Sequence, residues 1–321
     1  MNVLVTGGAG FIGSHIVDAL IARGEKVTVL DNLSTGNKSN ILKHVNDGSI
    51  GFIQGDIRNL DDLVVISDGI EAIIHCAALP SVGRSVRDPL ETNSVNIDGT
   101  INLLLQAKNM RLKKFVFSSS SSVYGNTLNL PKRENMAPAP RSPYATQKLT
   151  GEFYCKNFYS LFGLRTYCLR YFNVYGPRQN PNSEYAAVIP KFISSFMKDE
   201  PPMIHGNGKQ TRDFTFVADV VAANLACLDH DDDKGLGETY NICGGHSVSI
   251  GELAETLGII LGKMNISPVY GESRPGDVKD SLGDWTKASK FIDWRPKVQL
   301  KEGLEKTCEY FRVMLLLGEK I

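Results

Sequence analysis

Tyr144 and Lys148 stand four residues apart in a stretch of helical periodicity, so the phenol and the amine share one helix face. An ammonium beside a phenol favours the phenolate. A group that ionises near pH ~10 in water could then serve as a base near neutrality. Upstream, a strand-like run ends in Ser118-Ser119-Ser120-Ser121-Ser122-Val123-Tyr124-Gly125. From such a strand end, Ser120 can hold a substrate hydroxyl and relay its proton. A polar strand end can equally cap the turn that follows, and a Tyr-x-x-x-Lys pair by itself also suits a solvated helix face. The context decides between these readings.

That context begins at the first residues. The opening apolar run leads into Thr6-Gly7-Gly8-Ala9-Gly10-Phe11-Ile12-Gly13. Gly7, Gly10 and Gly13 give G-x-x-G-x-x-G, and Gly8, Gly10 and Gly13 also satisfy G-x-G-x-x-G. Glycine suits a tight strand-to-helix turn where a pyrophosphate must touch backbone and helix and strand must pack closely. The free N–H groups of the helix start then face the phosphate charge. Asp31 closes the second strand-like run. A carboxylate there accepts ribose hydroxyls and repels a 2′-phosphate, which favours NAD over NADP. A bound nicotinamide cation would act on Tyr144 in the same direction as Lys148.

The elements that must position these groups are legible as alternating runs. Strands are expected at 2–6, 26–31, 51–54, 72–76, 114–118 and 166–171, several of them apolar at successive positions, as in strands buried on both faces. Helical spacing marks 12–23, 92–109 and 144–162. Strand and helix in alternation predict an α/β fold, a Rossmann-type doubly wound parallel sheet. After Tyr171 the pattern loosens and Pro and Gly become frequent, although 214–229 reads as a strand and helix and 239–242 as a strand. The expected division is a cofactor domain of 1–172 and about 214–243, interleaved with a smaller α+β substrate domain of about 173–213 and 244–321. The acidic run 229–234 reads as a solvated helix end or loop.

Composition removes several classes. With 42 % apolar and 22 % charged residues and no net charge, the 321 residues describe an ordinary globular chain. Bulk charge suggests neither a nucleic-acid nor a membrane partner. Neither a secretory signal nor a membrane span is expected. The six cysteines are scattered without a C-x-x-C pair, and no histidine–carboxylate cluster has metal spacing, so reduced thiols, no metal and a cytoplasmic location are expected. His15 and His75 read as satisfied helix and core residues.

Taken together, Gly7/Gly10/Gly13, Asp31, His75-Cys76-Ala77-Ala78, Ser118 to Gly125 and Tyr144/Lys148 resemble the extended short-chain dehydrogenase/reductase family, most of all its UDP-galactose 4-epimerase branch. The segments Arg170-Tyr171-Phe172-Asn173-Val174-Tyr175-Gly176-Pro177, Thr211-Arg212-Asp213-Phe214 and Arg274-Pro275-Gly276-Asp277 extend the resemblance over nearly the whole chain. It implies a catalytic Ser120, Tyr144 and Lys148. It implies NAD contacts from the glycines and from Phe11, Ile12, Asp31, Asn32, Asp56, Ile57, Ala77, Ala78, Asn96, Ser118, Tyr144, Lys148, Tyr171 and Val174. The UDP-sugar would meet Ser120, Asn173, Ile189, Ile204, Arg212, Arg274, Asp277 and Ser281, with His205 bordering the uridine pocket. The two arginines also make sense alone, since guanidinium forks suit a diphosphate.

The resemblance further separates reactions. Related dehydratases carry an Asp-Glu pair after the strand-end hydroxyl residue, and related decarboxylases a Glu just before Val-Tyr-Gly. Here those positions are Ser121 and Ser122, which cannot supply acid–base elimination near neutral pH. Oxidation of C4 and return of the hydride remain, by way of a transient 4-keto sugar and tightly held NAD. Ser281 occupies a position where a bulky residue tends to exclude N-acetylated sugars. Its small size implies UDP-GlcNAc/UDP-GalNAc alongside UDP-Glc/UDP-Gal. The competing readings are a dehydratase, decarboxylase or reductase of the same fold, or a cofactor-sensing protein without catalysis. A homodimer built on helices 92–109 and 144–162 is implied by the resemblance alone.

Overall fold

The computed structural model describes residues 1–66, 69–181, 187–272 and 279–318. Its centre is a sheet of seven strands: β1 (Asn2–Thr6), β2 (Lys26–Asp31), β3 (Ile50–Gln54), β4 (Ala72–His75), β5 (Lys114–Ser120), β6 (Arg165–Tyr171) and β7 (Glu238–Ile242). All neighbours are parallel, in the order β7-β6-β5-β4-β1-β2-β3. The longer helices are α1 (Phe11–Ala22), α2 (Gly99–Asn109), α3 (Pro143–Phe162), α4 (Val188–Met197), α5 (Val217–Asp229), α6 (Ile250–Leu261) and α7 (Leu300–Leu316).

Several strands are apolar at successive positions because both sheet faces are covered. Alternate residues of β1 show this. Val3 and Val5 pack on one face with Ile16 and Val17 of α1 and Val220 and Ala223 of α5. Leu4 packs on the other with Leu103 and Leu104 of α2 and Cys155 and Phe158 of α3. Chain order reverses between β1 and β4. In such Rossmann-type sheets the crevice at the carboxyl ends of these two strands is where ligands bind. A third core lies outside the sheet, where Ile189, Phe192 and Phe196 of α4 pack with Leu253 and Leu257 of α6 and Leu304 and Phe311 of α7.

Two local features differ from the sequence-based expectation. β5 continues two residues past Ser118, because β6 stays in register with it through Ser119↔Arg170 and Ser120↔Tyr171. The helix expected at 92–109 contains a π-helical turn, Ser94–Asp98, between the short helix Pro89–Asn93 and α2. A single such turn is too short to show a period of its own, so periodicity does not reveal it. The acidic run is the solvated helix end and loop expected, and it also carries ion pairs. Asp229 pairs with Arg23 at 2.6 Å, and Asp231 accepts from Lys114 at 3.0 Å, a lysine whose side chain is only 5 % exposed. Such a cation needs a counter-charge, and this loop carries it.

No described helix is long and apolar enough to cross a membrane. The six cysteines are unpaired.

Candidate active site

The glycine turn is built for close approach. Gly7 has φ +69°, and a Cβ on it would lie 2.7 Å from the backbone nitrogen of Ala77. A Cβ on Gly13 would lie 2.2 Å from the carbonyl oxygen of Gly7. Gly10 is the N-cap of α1 and offers no side chain to its first N–H groups. An α-helix leaves those donors without internal partners, so the turn is a cradle for an anion. Phe11 and Ile12 open this helix. Asp31 ends β2 beside it, 7 % exposed, accepting from Ala9 N at 2.9 Å and Leu33 N at 2.8 Å. Burial raises its pKa against those two donors. The set fits a dinucleotide: a phosphate cradle next to a carboxylate with acceptor capacity to spare.

The Asp56 carboxylate is held by Arg58, at 2.8 and 3.0 Å, and by Asn32 Nδ2 at 2.9 Å. The Arg58 hydrogen bonds bring its pKa down to about 2. Ile57 is buried against Gly99. Asn96 lies in the π turn and spends its amide on the backbone of Leu79, at 2.8 and 3.1 Å, and on Gln147 at 2.9 Å. It therefore anchors the loop after β4, the loop that carries Ala77 and Ala78. Tyr171 and Ser118 share a hydrogen bond of 3.2 Å, and Asn224 of α5 meets the same phenol at 2.9 Å. Val174 begins a two-residue strand paired with Thr215.

The catalytic candidates come together at the end of β5. Ser142 caps α3 by accepting from Ala145 N at 3.1 Å, and Pro143 follows it, which places Tyr144 in the first turn. Ser85 Oγ accepts from Tyr144 N at 3.0 Å. Lys148 is 4 % exposed, donates to the carbonyl of Ser118 at 2.8 Å and stands 6.0 Å from the centre of the Tyr144 ring. Ser120 lies beside the Tyr144 phenol and favours its ionised form. It also accepts from Ser122 N at 3.2 Å, so it caps the turn as well.

The electrostatics correct one expectation. Burial pushes Tyr144 up to about 12, with only the neighbouring Ser120 hydroxyl opposing it. Burial likewise pushes Lys148 down to about 8. The amine loses its proton before the phenol does, so the i,i+4 pair alone does not bring the phenol below its ordinary value. Sequence spacing shows adjacency; it does not show the desolvation that outweighs it.

The substrate-side residues lie around a short antiparallel pair, Thr211–Asp213 with Ser247–Ser249. Arg212 donates to the carbonyls of Thr211 and Lys279 at 2.8 and 3.3 Å. Ser281 is 9 % exposed and bonds Thr211 O through its backbone. Asn173 donates to the carbonyl of Asp213 at 2.7 Å. The side chains of Ile189 and Ile204 are buried in the third core. His205 meets the Glu272 carbonyl at 3.2 Å. Arg274 and Asp277 lie outside the described residues.

Asp213 was missed by sequence reasoning, although it adjoins Arg212. Fully buried, it accepts from Gly244 N, Gly245 N and Gly283 N at 2.8, 3.1 and 2.9 Å, clamping three segments together. Burial pushes it up to about 7. His75 is the satisfied core residue expected, bonded to Thr6 and Thr100 at 2.8 and 3.0 Å and brought down to about 3 by burial. His15 meets the Pro177 carbonyl at 3.0 Å. Among the described residues no group of His, Cys, Asp and Glu could hold a metal ion.

A Gly-cradled helix start, an acid ending β2 and a Tyr/Lys/Ser set at the end of β5 define an enzyme of the short-chain dehydrogenase/reductase class. Residues 3–243 match the NAD dependent epimerase/dehydratase family, and the chain belongs to it as an NAD-dependent enzyme of the UDP-sugar 4-epimerase branch. It is 41 % identical to a putative UDP-glucose 4-epimerase of Methanocaldococcus jannaschii, over 97 % of this chain and 98 % of that one. Its fold matches a UDP-N-acetylglucosamine 4-epimerase from Methanobrevibacter ruminantium M1, solved with UDP-N-acetylmuramic acid, with TM-score 0.92, 43 % identity and 98 % of each chain covered. It also matches a UDP-glucuronic acid 4-epimerase from Bacillus cereus, solved with UDP-glucuronic acid and NAD, with TM-score 0.90, 35 % identity and 98 % and 100 % covered.

Proposed function

We propose that the chain interconverts UDP-GlcNAc with UDP-GalNAc, and UDP-Glc with UDP-Gal, by inverting C4. The observation that carries this is the make-up of the β5 end: Ser120 beside Tyr144, followed by Ser121 and Ser122. A phenol and hydroxyls can move one proton to and from a sugar oxygen. Eliminating water or releasing carbon dioxide would call for carboxyl groups at those positions. Tyr144 takes the O4 proton with Ser120 holding that oxygen, and gives it back after the sugar has turned. Bound NAD⁺ supplies the two-electron acceptor for C4 and then the donor. Lys148 keeps a positive charge near the phenol at neutral pH. Arg212, with Arg274, grips the diphosphate, while the 4-keto sugar is held loosely enough to present its other face. Acceptance of the N-acetyl group rests on the small Ser281.

Several further assignments belong to this reading. The cofactor half comprises 1–172 and about 214–243, and the sugar half about 173–213 and 244–321. The enzyme is cytoplasmic, which its unpaired cysteines support. It works as a homodimer through the outer faces of α2 and α3, where Leu105, Phe153 and Leu161 are exposed.

The test is an equilibrium assay by NMR, with UDP-GlcNAc and UDP-Glc incubated separately and no cofactor added. Formation of UDP-GalNAc and UDP-Gal is the expected result. Conversion of UDP-Glc alone would overturn the role of Ser281. Release of water or carbon dioxide, or net consumption of a nicotinamide, would replace the epimerase reading with one of its rivals.

A further inference from the structure

Glu152 lies two helical turns beyond Tyr144 on α3, away from the reacting groups. Its Oε1 accepts from Ser119 Oγ and from Arg170 Nε, the latter at 2.8 Å, and its Oε2 accepts from Arg170 Nη2 at 2.6 Å. The two charged side chains are 4 % and 5 % exposed. Ser119 and Arg170 stand directly opposite each other in the β5–β6 register, so Glu152 bridges a cross-strand pair from the helix above. The guanidinium of Arg170 also lies 4.6 Å from the centre of the Tyr124 ring, and Tyr124 ends the turn Ser121–Tyr124 that leaves Ser120. Tyr124 OH in turn donates to Asn241 of β7 at 2.7 Å.

A buried ion pair is poor evidence for stability, since well-packed apolar residues often serve as well. This one has a different property. It connects, through one carboxylate, the strand that ends in the catalytic hydroxyl, the helix that carries the catalytic phenol, and the turn between them. Ser119 is the immediate neighbour of Ser120. Glu152 continues the i, i+4 stripe of Tyr144 and Lys148.

We infer that Glu152 and Arg170 are positioning residues, which lock the end of β5 to α3 so that the Ser120 hydroxyl keeps its place beside the Tyr144 phenol. The inference rests on the reading that these two groups act at C4. A misplacement of ~1 Å at reacting groups can cost about 100-fold in rate.

The test uses the full-length enzyme with its bound NAD and two variants. Glu152→Met/Arg170→Met removes both charges together and leaves neither buried alone. Ser119→Ala keeps the ion pair and removes only its tie to the strand. The double variant is expected to lose about 10- to 100-fold in kcat, with KM and NAD content within twofold of the parent. Ser119→Ala should show a smaller loss of the same kind. In both, the Tyr144 ring 13Cζ resonance, assigned with Tyr144→Phe, should move as Ser120 shifts against the phenol. Parental kcat with an unmoved resonance in the double variant would overturn the inference, as would a loss of kcat matched by a loss of NAD. If the double variant does not fold, Ser119→Ala decides by the same two readouts. If the parent enzyme epimerises no sugar, the proposed reaction fails, while the resonance still decides the positioning role.

Discussion

Lys148 should write its own ionisation into the pH profile. Its amine stands 6.0 Å from the Tyr144 ring centre. At an effective dielectric of about 20, a unit charge at that distance stabilises phenolate by about 3 kcal/mol. That is about two pK units, or about 100-fold in the population of the base at fixed pH. Burial has brought the amine down to about 8, so it is charged at neutrality and discharged in mild alkali. The kcat of the holoenzyme should therefore fall as pH rises through about 8, against the usual trend for a base that only needs deprotonating. Lys148→Met should cost about 100-fold at neutral pH and abolish that alkaline fall. Lys148→Arg should also lack it, because a guanidinium keeps its charge. The assay is epimer formation by NMR from pH ~6 to ~10. A methionine variant within threefold of the parent at neutral pH would refute the reasoning, as would an arginine variant with the same fall near pH 8.

Other consequences are more local. Gly13→Ala would place a methyl 2.2 Å from the Gly7 carbonyl, so the purified variant should carry no NAD; stoichiometric NAD released on denaturation would contradict this. Asp213 is raised from its ordinary 3.8 to about 7. The native carboxyl therefore keeps its proton where the unfolded one has lost it, and stability should decline from pH ~4 to ~7 by as much as about 4 kcal/mol. Urea midpoints across that range should show the decline in the parent and not in Asp213→Asn. Phe153→Asp puts a charge on the exposed outer face of α3 and should convert a dimer to monomer in sedimentation velocity; an unchanged dimer would place the interface elsewhere.

Much of the architecture was visible in the residues alone, and the reasons differ from element to element. β1, β4, β5 and β6 announce themselves because burial on both faces favours apolar residues at successive positions. The glycine turn and Asp31 are legible because their chemistry leaves few substitutes. The strands Met203–His205 and Val269–Gly271 are too short to show a period, and they form only because each pairs with the other across the fold. Ser119 and Ser120 look like loop residues until β6 is seen beside them. Glu152, Arg170 and Asp213 are ordinary charges in a sequence; only burial makes them structural, and burial is a property of the folded chain. For the same reason the pairing of Tyr144 with Lys148 could be read from spacing while the direction of their pKa shifts could not.

The position of β7 bears on how the chain is made. It lies at the edge of the sheet, bonded to β6, yet residues 172–237 come between the two. During synthesis at ~5–20 residues per second, β6 emerges and then waits several seconds for its neighbour. For that interval an apolar strand shows an open row of N–H and C=O groups, a template for another nascent chain. A fragment ending near residue 172 would keep that edge open for good. The nascent chain thus passes through a window in which a chaperone has most to shield, and the window closes when Asn241 arrives to meet Tyr124 and Glu134.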